Sequence, residues 1–352
     1  MPSGEGDGTP EGGVRVKGVR VVRRLVSAVP LAVGVVLLTF LLLRLLPGDP
    51  VDVMMGQAGN VSQQEIQALR AQLDLDRPLG QQAVRFAGRL LHGDLGRSIR
   101  NSQPVTELIG QALPATLELA VAAGVFAVLV AVPVGVIAAL RHRSALDHAT
   151  MSAAFVGISM PAFWLGLVLI LVFGVALGWL PTSGRLDPGM DVPAVTGWMT
   201  IDALLARDWE AFRSAVLHLI LPAVTLGAEL AAILSRVVRS SMLEVLRADY
   251  VRVARAKGVD EWHVVVRHAL RNALVPAVTV LGLQMGVLLG GNMIVETVFS
   301  WPGLGRLVVG AIFARDYPVV QGAVMLYALT FLAANLLVDL AYALLNPRMA
   351  SA

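Results

Sequence analysis

Two groups of side chains have types and spacings that could do chemistry. The first sits in a basic loop at 239–273 and comprises Asp249, Tyr250, Ala254, Ala256, Lys257, Gly258, Asp260 and Glu261. Two helix-patterned pieces flank the single glycine there, and their interleaved charges suit recognition by a soluble partner better than bond making. The second group is Glu118, Glu229, Gln284, Asn292 and Glu296, polar groups set in long apolar segments, with Asn335 and Asp339 further along. A polar group at such a position faces a cavity or a partner. Hydrogen bonding between helices is the plainer alternative for each of them. Glu229 stands out because it lies near the middle of its segment.

Covalent chemistry finds little support. The six histidines (His92, His142, His148, His218, His263 and His268) form no His-Glu-x-x-His pair. No Gly-x-Ser-x-Gly elbow occurs, and Gly157-Ile158-Ser159-Met160-Pro161 only approximates one. The absence of cysteine excludes thiolate metal sites, cysteine nucleophiles and disulfides. Only two lysines are present, Lys17 and Lys257, each followed by glycine. A phosphate-cradling loop needs Gly-Lys followed by Ser or Thr, so this chain carries none.

The elements that must hold these residues are membrane helices. Of 352 residues, 56% are apolar and 15% charged, and mean hydropathy is +0.70, which fits a multi-span membrane protein. Six segments are long and apolar enough to cross a bilayer: 25–46, 114–140, 149–178, 215–236, 274–298 and 319–345. Asp147 is positioned to cap the third, and Pro161 inside it predicts a kink. Pro276 and Pro318 fall in the first turns of the fifth and sixth, and Asn346-Pro347 stops the sixth. The first segment is longer than a signal core and lacks a small-residue cleavage site, so it reads as a retained anchor. Residues 1–13, rich in Gly and Glu, read as disordered within a tail of 1–24.

Arginines set the orientation. Arg15, Lys17, Arg20, Arg23 and Arg24 precede the first span, Arg141 and Arg143 follow the second, and the 239–273 loop is basic throughout. With six alternating spans these fall on one side, which places that side and both termini in the cytoplasm. The net charge of +3 and pI of 9.7 follow from the same residues, and no aromatic-interleaved basic stripe suggests nucleic acid.

The lobe at 47–113 reads as ordered. Ser62-Gln63-Gln64-Glu65 has capping-box spacing, and residues 81–91 form a helix closed at His92-Gly93. A short amphipathic piece is expected at 202–212. In the basic loop, 241–256 reads as helix, Gly258 stops it, and Asp260 caps a second helix with Glu261 in its first turn. A loop skimming anionic headgroups is the competing reading of that charge pattern.

Ala254-x-Ala256-Lys257-Gly258 followed by 267–276, Arg-His-Ala-Leu-Arg-Asn-Ala-Leu-Val-Pro, resembles the coupling-loop signature of ABC-importer permeases. More narrowly it is similar to the dipeptide/oligopeptide/nickel permease family. Leu46-Pro47-Gly48-Asp49-Pro50, Gly93-Asp94-Leu95-Gly96-Arg97-Ser98, Pro104-Val105, Glu296-Thr297-Val298-Phe299-Ser300-Trp301-Pro302-Gly303-Leu304-Gly305 and Arg315-Asp316-Tyr317-Pro318 carry the same resemblance. Where the general importer signature has Glu-Ala-Ala, this chain has Arg252, Val253 and Ala254, as the peptide branch does.

The resemblance implies an all-α membrane protein of the MetI-like permease fold, with six transmembrane helices, an extracytoplasmic lobe after the first, and a five-helix core at 114–346. It implies a non-enzymatic transport subunit in the bacterial cytoplasmic membrane, carrying di- or oligopeptides. Nickel chelates and glutathione are the alternatives within the family. Expected partners are a second homologous permease, two ATP-binding subunits that use ATP and Mg, an extracytoplasmic solute-binding protein and membrane lipid. No cofactor is expected on this chain itself. From another class, a proton-coupled secondary transporter using Glu229 or Glu118 would need no coupling turn.

Overall fold

The computed structural model describes residues 30–31, 33–41, 67, 70, 76–289 and 292–345. The tail, half of the first predicted span and the Ser62–Glu65 capping box lie outside these residues, although 33–41 are helical as expected. Regular structure among the described residues is helical, apart from one antiparallel bridge between Arg97 and Pro104.

In chain order the helices are α1 (Leu79–Leu91), α2 (Val105–Leu140), α3 (Ala145–Ser159) and α4 (Ala162–Leu169), which continues as π-helix over Ile170–Ala176. After an irregular stretch come α5 (Met199–Leu205), α6 (Trp209–Val245), α7 (Asp249–Ala256) and the turn α8 (Glu261–His263). A π-helical segment, Val264–Leu270, leads into α9 (Arg271–Leu289), followed by α10 (Met293–Val298), α11 (Leu304–Phe313) and α12 (Tyr317–Leu345).

Among the described residues, α2, α6, the path Glu261–Leu289 and the Tyr317–Ala334 part of α12 are each long and apolar enough to span a membrane. The stretches Ala145–Ser159 and Ala162–Ala176 pass the same test only when taken together, and the pair is bent by 106°. The bend falls at Met160-Pro161, where Pro161 takes the cap position of α4; this is the kink expected from the sequence.

Several boundaries differ from expectation for identifiable reasons. Helix α2 starts at Val105, well before 114, because its polar first turns still bury Val105 and Ile109 against α11 and α12. Ser144 caps α3, its hydroxyl accepting from the Asp147 amide at 3.2 Å, so Asp147 is freed for another role. The predicted piece at 202–212 is two helices, broken where Arg207 adopts φ +58° and Asp208 caps α6. The predicted 241–256 helix is likewise broken between Val245 and Asp249. The predicted fifth span at 274–298 is two helices, α9 and α10, because Asn292 adopts an extended backbone and caps α10. Asn292 and Glu296 therefore belong to α10 rather than to α9.

Helix α6 is the hub. Toward the basic loop, Leu230, Leu234, Val238 and Met242 pack on Ala127, Ala131 and Ala139 of α2 and on Ala269, Ala273 and Ala277. The small residues let backbones approach closely, which is how helices associate without a hydrophobic gradient. A Cβ at Gly227 would come within 2.6 Å of the Ala123 carbonyl oxygen, and one at Gly135 within 2.7 Å of Val238 Cβ.

Candidate functional site

The basic loop folds into a preformed elbow. Helix α7 ends at Ala256 with Lys257 as its cap, and Gly258 turns the chain at φ +76°, the left-handed region that glycine enters at no steric cost. Asp260 then caps α8, accepting from the Trp262 amide at 3.1 Å. Both sequence expectations, the glycine stop and the aspartate cap, hold. Val251, Ala254 and Val264 are buried together under Val245 and Val259, so the two arms share a small core. Across the turn Arg255 donates from Nε and Nη2 to Glu261 at 3.0 and 2.6 Å. The Glu261 contact raises the Arg255 pKa above its ordinary value, outweighing the opposing effect of partial burial. A second tie joins the elbow to α9, Asn272 Nδ2 donating to the Tyr250 hydroxyl at 2.9 Å.

Of the eight loop residues singled out, Ala254 serves the internal core, while Asp249, Tyr250, Ala256, Lys257, Gly258, Asp260 and Glu261 are exposed. Sequence reasoning missed the most telling feature. Trp262 is 70% exposed, Val253 52% and Tyr250 45%, an apolar surface on an otherwise charged elbow. The available signal is that Trp262 sits among Asp260, Glu261 and His263, ahead of the apolar run that begins at Val264.

The elbow is braced at the base of α6. Arg239 donates from Nε and Nη2 to Asp147 at 2.6 and 2.7 Å, and the Arg143 amide donates to the same carboxylate at 2.9 Å. This fork joins α6 to the start of α3 and explains why Asp147, buried at the helix start, is not the cap.

The five polar groups of the apolar segments do not form one site. Glu118 and Glu296, both buried, are committed to internal contacts at the end remote from the elbow. Glu118 pairs with Arg185 and accepts from Thr200 through its amide at 2.8 Å and its hydroxyl at 2.7 Å. Arg185 also lies 5.5 Å from the centre of the Trp301 ring. Together these contacts strap the 178–200 connection onto α2. Beside it, the buried Asp202 accepts from the amides of Thr196 and Gly197 at 2.7 and 2.9 Å. Burial alone would push the Asp202 pKa up; the hydrogen bonds from Thr196 and Gly197 win, and it lies below the ordinary carboxylate value.

Glu296 accepts from Thr116 at 2.9 Å and from the Arg306 amide at 3.1 Å. A Cβ at Gly303 would lie 2.5 Å from a Glu296 oxygen and from Thr116 Oγ1. The Trp301-to-Gly305 block is therefore written for close passage of backbone over a carboxylate. Trp301 Nε1 seals it, donating to the Ala115 carbonyl at 2.8 Å. Asn292 caps α10 through the Val295 amide at 3.0 Å. Only Glu229 and Gln284 remain without a hydrogen bond to any described residue, and Glu229 is exposed while Gln284 is half-buried. At the same remote end Asp316 accepts from Ser98, and an open cleft of roughly 490 Å³ lies between Ser98–Asn101 and α11. Among the described residues no cluster of His, Asp or Glu is placed to hold a metal.

Residues 131–351 match the model of the binding-protein-dependent transport system inner membrane component, and residues 19–120 match the N-terminal membrane component of such systems. The chain is 50% identical to the di/tripeptide transport system permease protein of Pseudomonas aeruginosa, over 94% of this chain and 98% of that one. It is 46% identical to the dipeptide transport system permease protein of Escherichia coli K12, over 94% and 98% respectively. Identity to the glutathione transport system permease protein of Salmonella paratyphi A is 43%, over 93% and 97%.

Proposed function

The chain belongs to the family of binding-protein-dependent transport system inner membrane components, and from that premise we propose that it forms the translocation pathway of an ATP-driven importer for di- and oligopeptides. In this reading the elbow docks in a cleft of an ATP-binding subunit, with the elbow and both termini in the cytoplasm. A second permease, two ATP-binding subunits using ATP and Mg, and an extracytoplasmic solute-binding protein complete the assembly. Closure of the ATP-binding subunits pushes the elbow, and the push biases the helices between two arrangements.

One observation carries the reading. The elbow is rigid by construction, holding its own core and a two-point ion pair, yet it presents Trp262, Val253 and Tyr250 outward. A lever must be stiff inside and adhesive outside, and an exposed aromatic is a common anchor of an interface. Headgroup skimming needs neither the clamp nor the left-handed turn. Peptide is favoured as solute because the relatives at 50% and 46% identity are named for di- and tripeptides. The glutathione relative supports a second, chemically close solute, itself a tripeptide-like γ-linked chain.

The test is uptake by proteoliposomes holding the assembled complex, with labelled dialanine and the binding protein outside and ATP inside. Accumulation that requires ATP and is competed by unlabelled dipeptide supports the proposal. Accumulation driven by a proton gradient without ATP refutes it.

A further inference from the structure

Helix α6 is packed on most sides, but one stripe is bare. Glu229, Arg236 and Ser240 are all exposed, with Ile233 half-buried between them. The stripe begins near the middle of this 37-residue helix and runs toward the elbow. Neither Glu229 nor Arg236 makes a hydrogen bond or ion pair with a described residue. Ionisable groups at membrane depth are too costly to leave against lipid, so such a face borders water or a polar partner. Seven residues bring the helix back to within about 20° of the same direction, so Glu229 and Arg236 point the same way. They are separated by about 10 Å along the axis.

That spacing has a natural counterpart. An extended tripeptide spans about 10 Å between its ends and a dipeptide about 7 Å, the difference being within reach of the two flexible side chains. A free peptide carries an ammonium at one end and a carboxylate at the other, the charges opposite to Glu229 and Arg236. We propose that Glu229 and Arg236 line a water-filled pathway and engage the amino and carboxyl ends of the passing peptide. The inference rests on the importer reading above. It adds a specificity element inside the channel, selecting for zwitterionic backbones whatever the side chains.

The chain has no cysteine, so a single reporter thiol can be placed by Ile233→Cys, between the two charges. In the assembled complex, the rates of modification by cationic and anionic methanethiosulfonates are compared, and their ratio cancels differences in folding or abundance. Glu229→Gln is expected to lower the cationic-to-anionic ratio by about threefold or more, and Arg236→Gln to raise it similarly. Millimolar dialanine should slow modification several-fold, while uncharged N-acetyl-dialanine amide should not. A thiol unreactive in both the nucleotide-free and the ATP-trapped complex, or a ratio insensitive to both variants, overturns the inference. Equal protection by the two peptides, or none by either, overturns recognition of the ends. If dialanine uptake needs ATP but the thiol is silent, this inference alone fails. If labelling behaves as expected but uptake is independent of ATP, the importer reading fails instead.

Discussion

Arg255 and Glu261 meet across Gly258, the guanidinium donating to both carboxylate oxygens at 3.0 and 2.6 Å. The pair spans the only break between the arms of the elbow and fixes the angle between them. Both side chains are substantially exposed, so the pair contributes about 0.5 kcal/mol or less to global stability. Its role is orientation.

Glu261→Gln is therefore expected to leave the melting temperature of the assembled complex within about 2 °C, given that small energy, while lowering peptide-dependent ATP turnover several-fold. Gly258→Ala should act through backbone conformation alone, since no atom lies within 4 Å of the Cβ it would add. The left-handed conformation costs an alanine about 1 kcal/mol, and asparagine less. ATP turnover should fall in the order glycine, asparagine, alanine, measured on complexes matched for subunit content.

Asp147 and Arg239 brace the base of α6 through two short contacts, with Asp147 buried. Arg239→Met leaves a buried carboxylate with only backbone and histidine neighbours, and should destabilise by about 3 kcal/mol. Asp147→Asn combined with Arg239→Met should recover part of that loss. Thermal unfolding of the two variants in one detergent checks the order.

Gly303→Ala should be poorly tolerated at the remote end, because the new methyl meets Glu296 and Thr116 at 2.5 Å. Overpacking of this kind costs about 1–3 kcal/mol. Thr116→Ser in the same chain keeps the Oγ that the methyl meets, so it should not restore the melting temperature lost in Gly303→Ala, measured for both variants in one detergent.

Asp202 offers a pH signature outside the spans. Its pKa is depressed in the folded protein, so its contribution is fully present above the unfolded value of about 3.9. That contribution is lost as pH falls through the lower folded value. Protection of the Thr196 and Gly197 amides from hydrogen exchange, corrected for intrinsic rate, should be flat between pH 7 and 5 and decline below about 4. Asp202→Asn should lower protection across the whole range and flatten the profile.

The elbow was legible in the sequence because each of its parts is local: a glycine stop, an aspartate cap and a period of apolar residues within one short stretch. The kink at Pro161 and the closing of α1 at Gly93 were legible for the same reason. What escaped was set by distant contacts. Glu118 and Glu296 look alike as carboxylates in apolar segments, and only Arg185, far along the chain, and the passage of Gly303 show them to be straps. Helix α2 starts early because α11, almost two hundred residues later, covers its first turns. Glu229 stands out in the sequence by its place near the middle of its segment, but no local pattern encodes that it lacks a partner among the described residues.

The central claim is that the elbow receives its work from an ATP-binding subunit. A thiol introduced by Lys257→Cys, the sole cysteine of the chain, can carry a maleimide–benzophenone photocrosslinker in the assembled complex. The account predicts that illumination joins this chain to an ATP-binding subunit and that the joined complex loses ATP-driven dialanine uptake. Full uptake with no adduct to an ATP-binding subunit would contradict it.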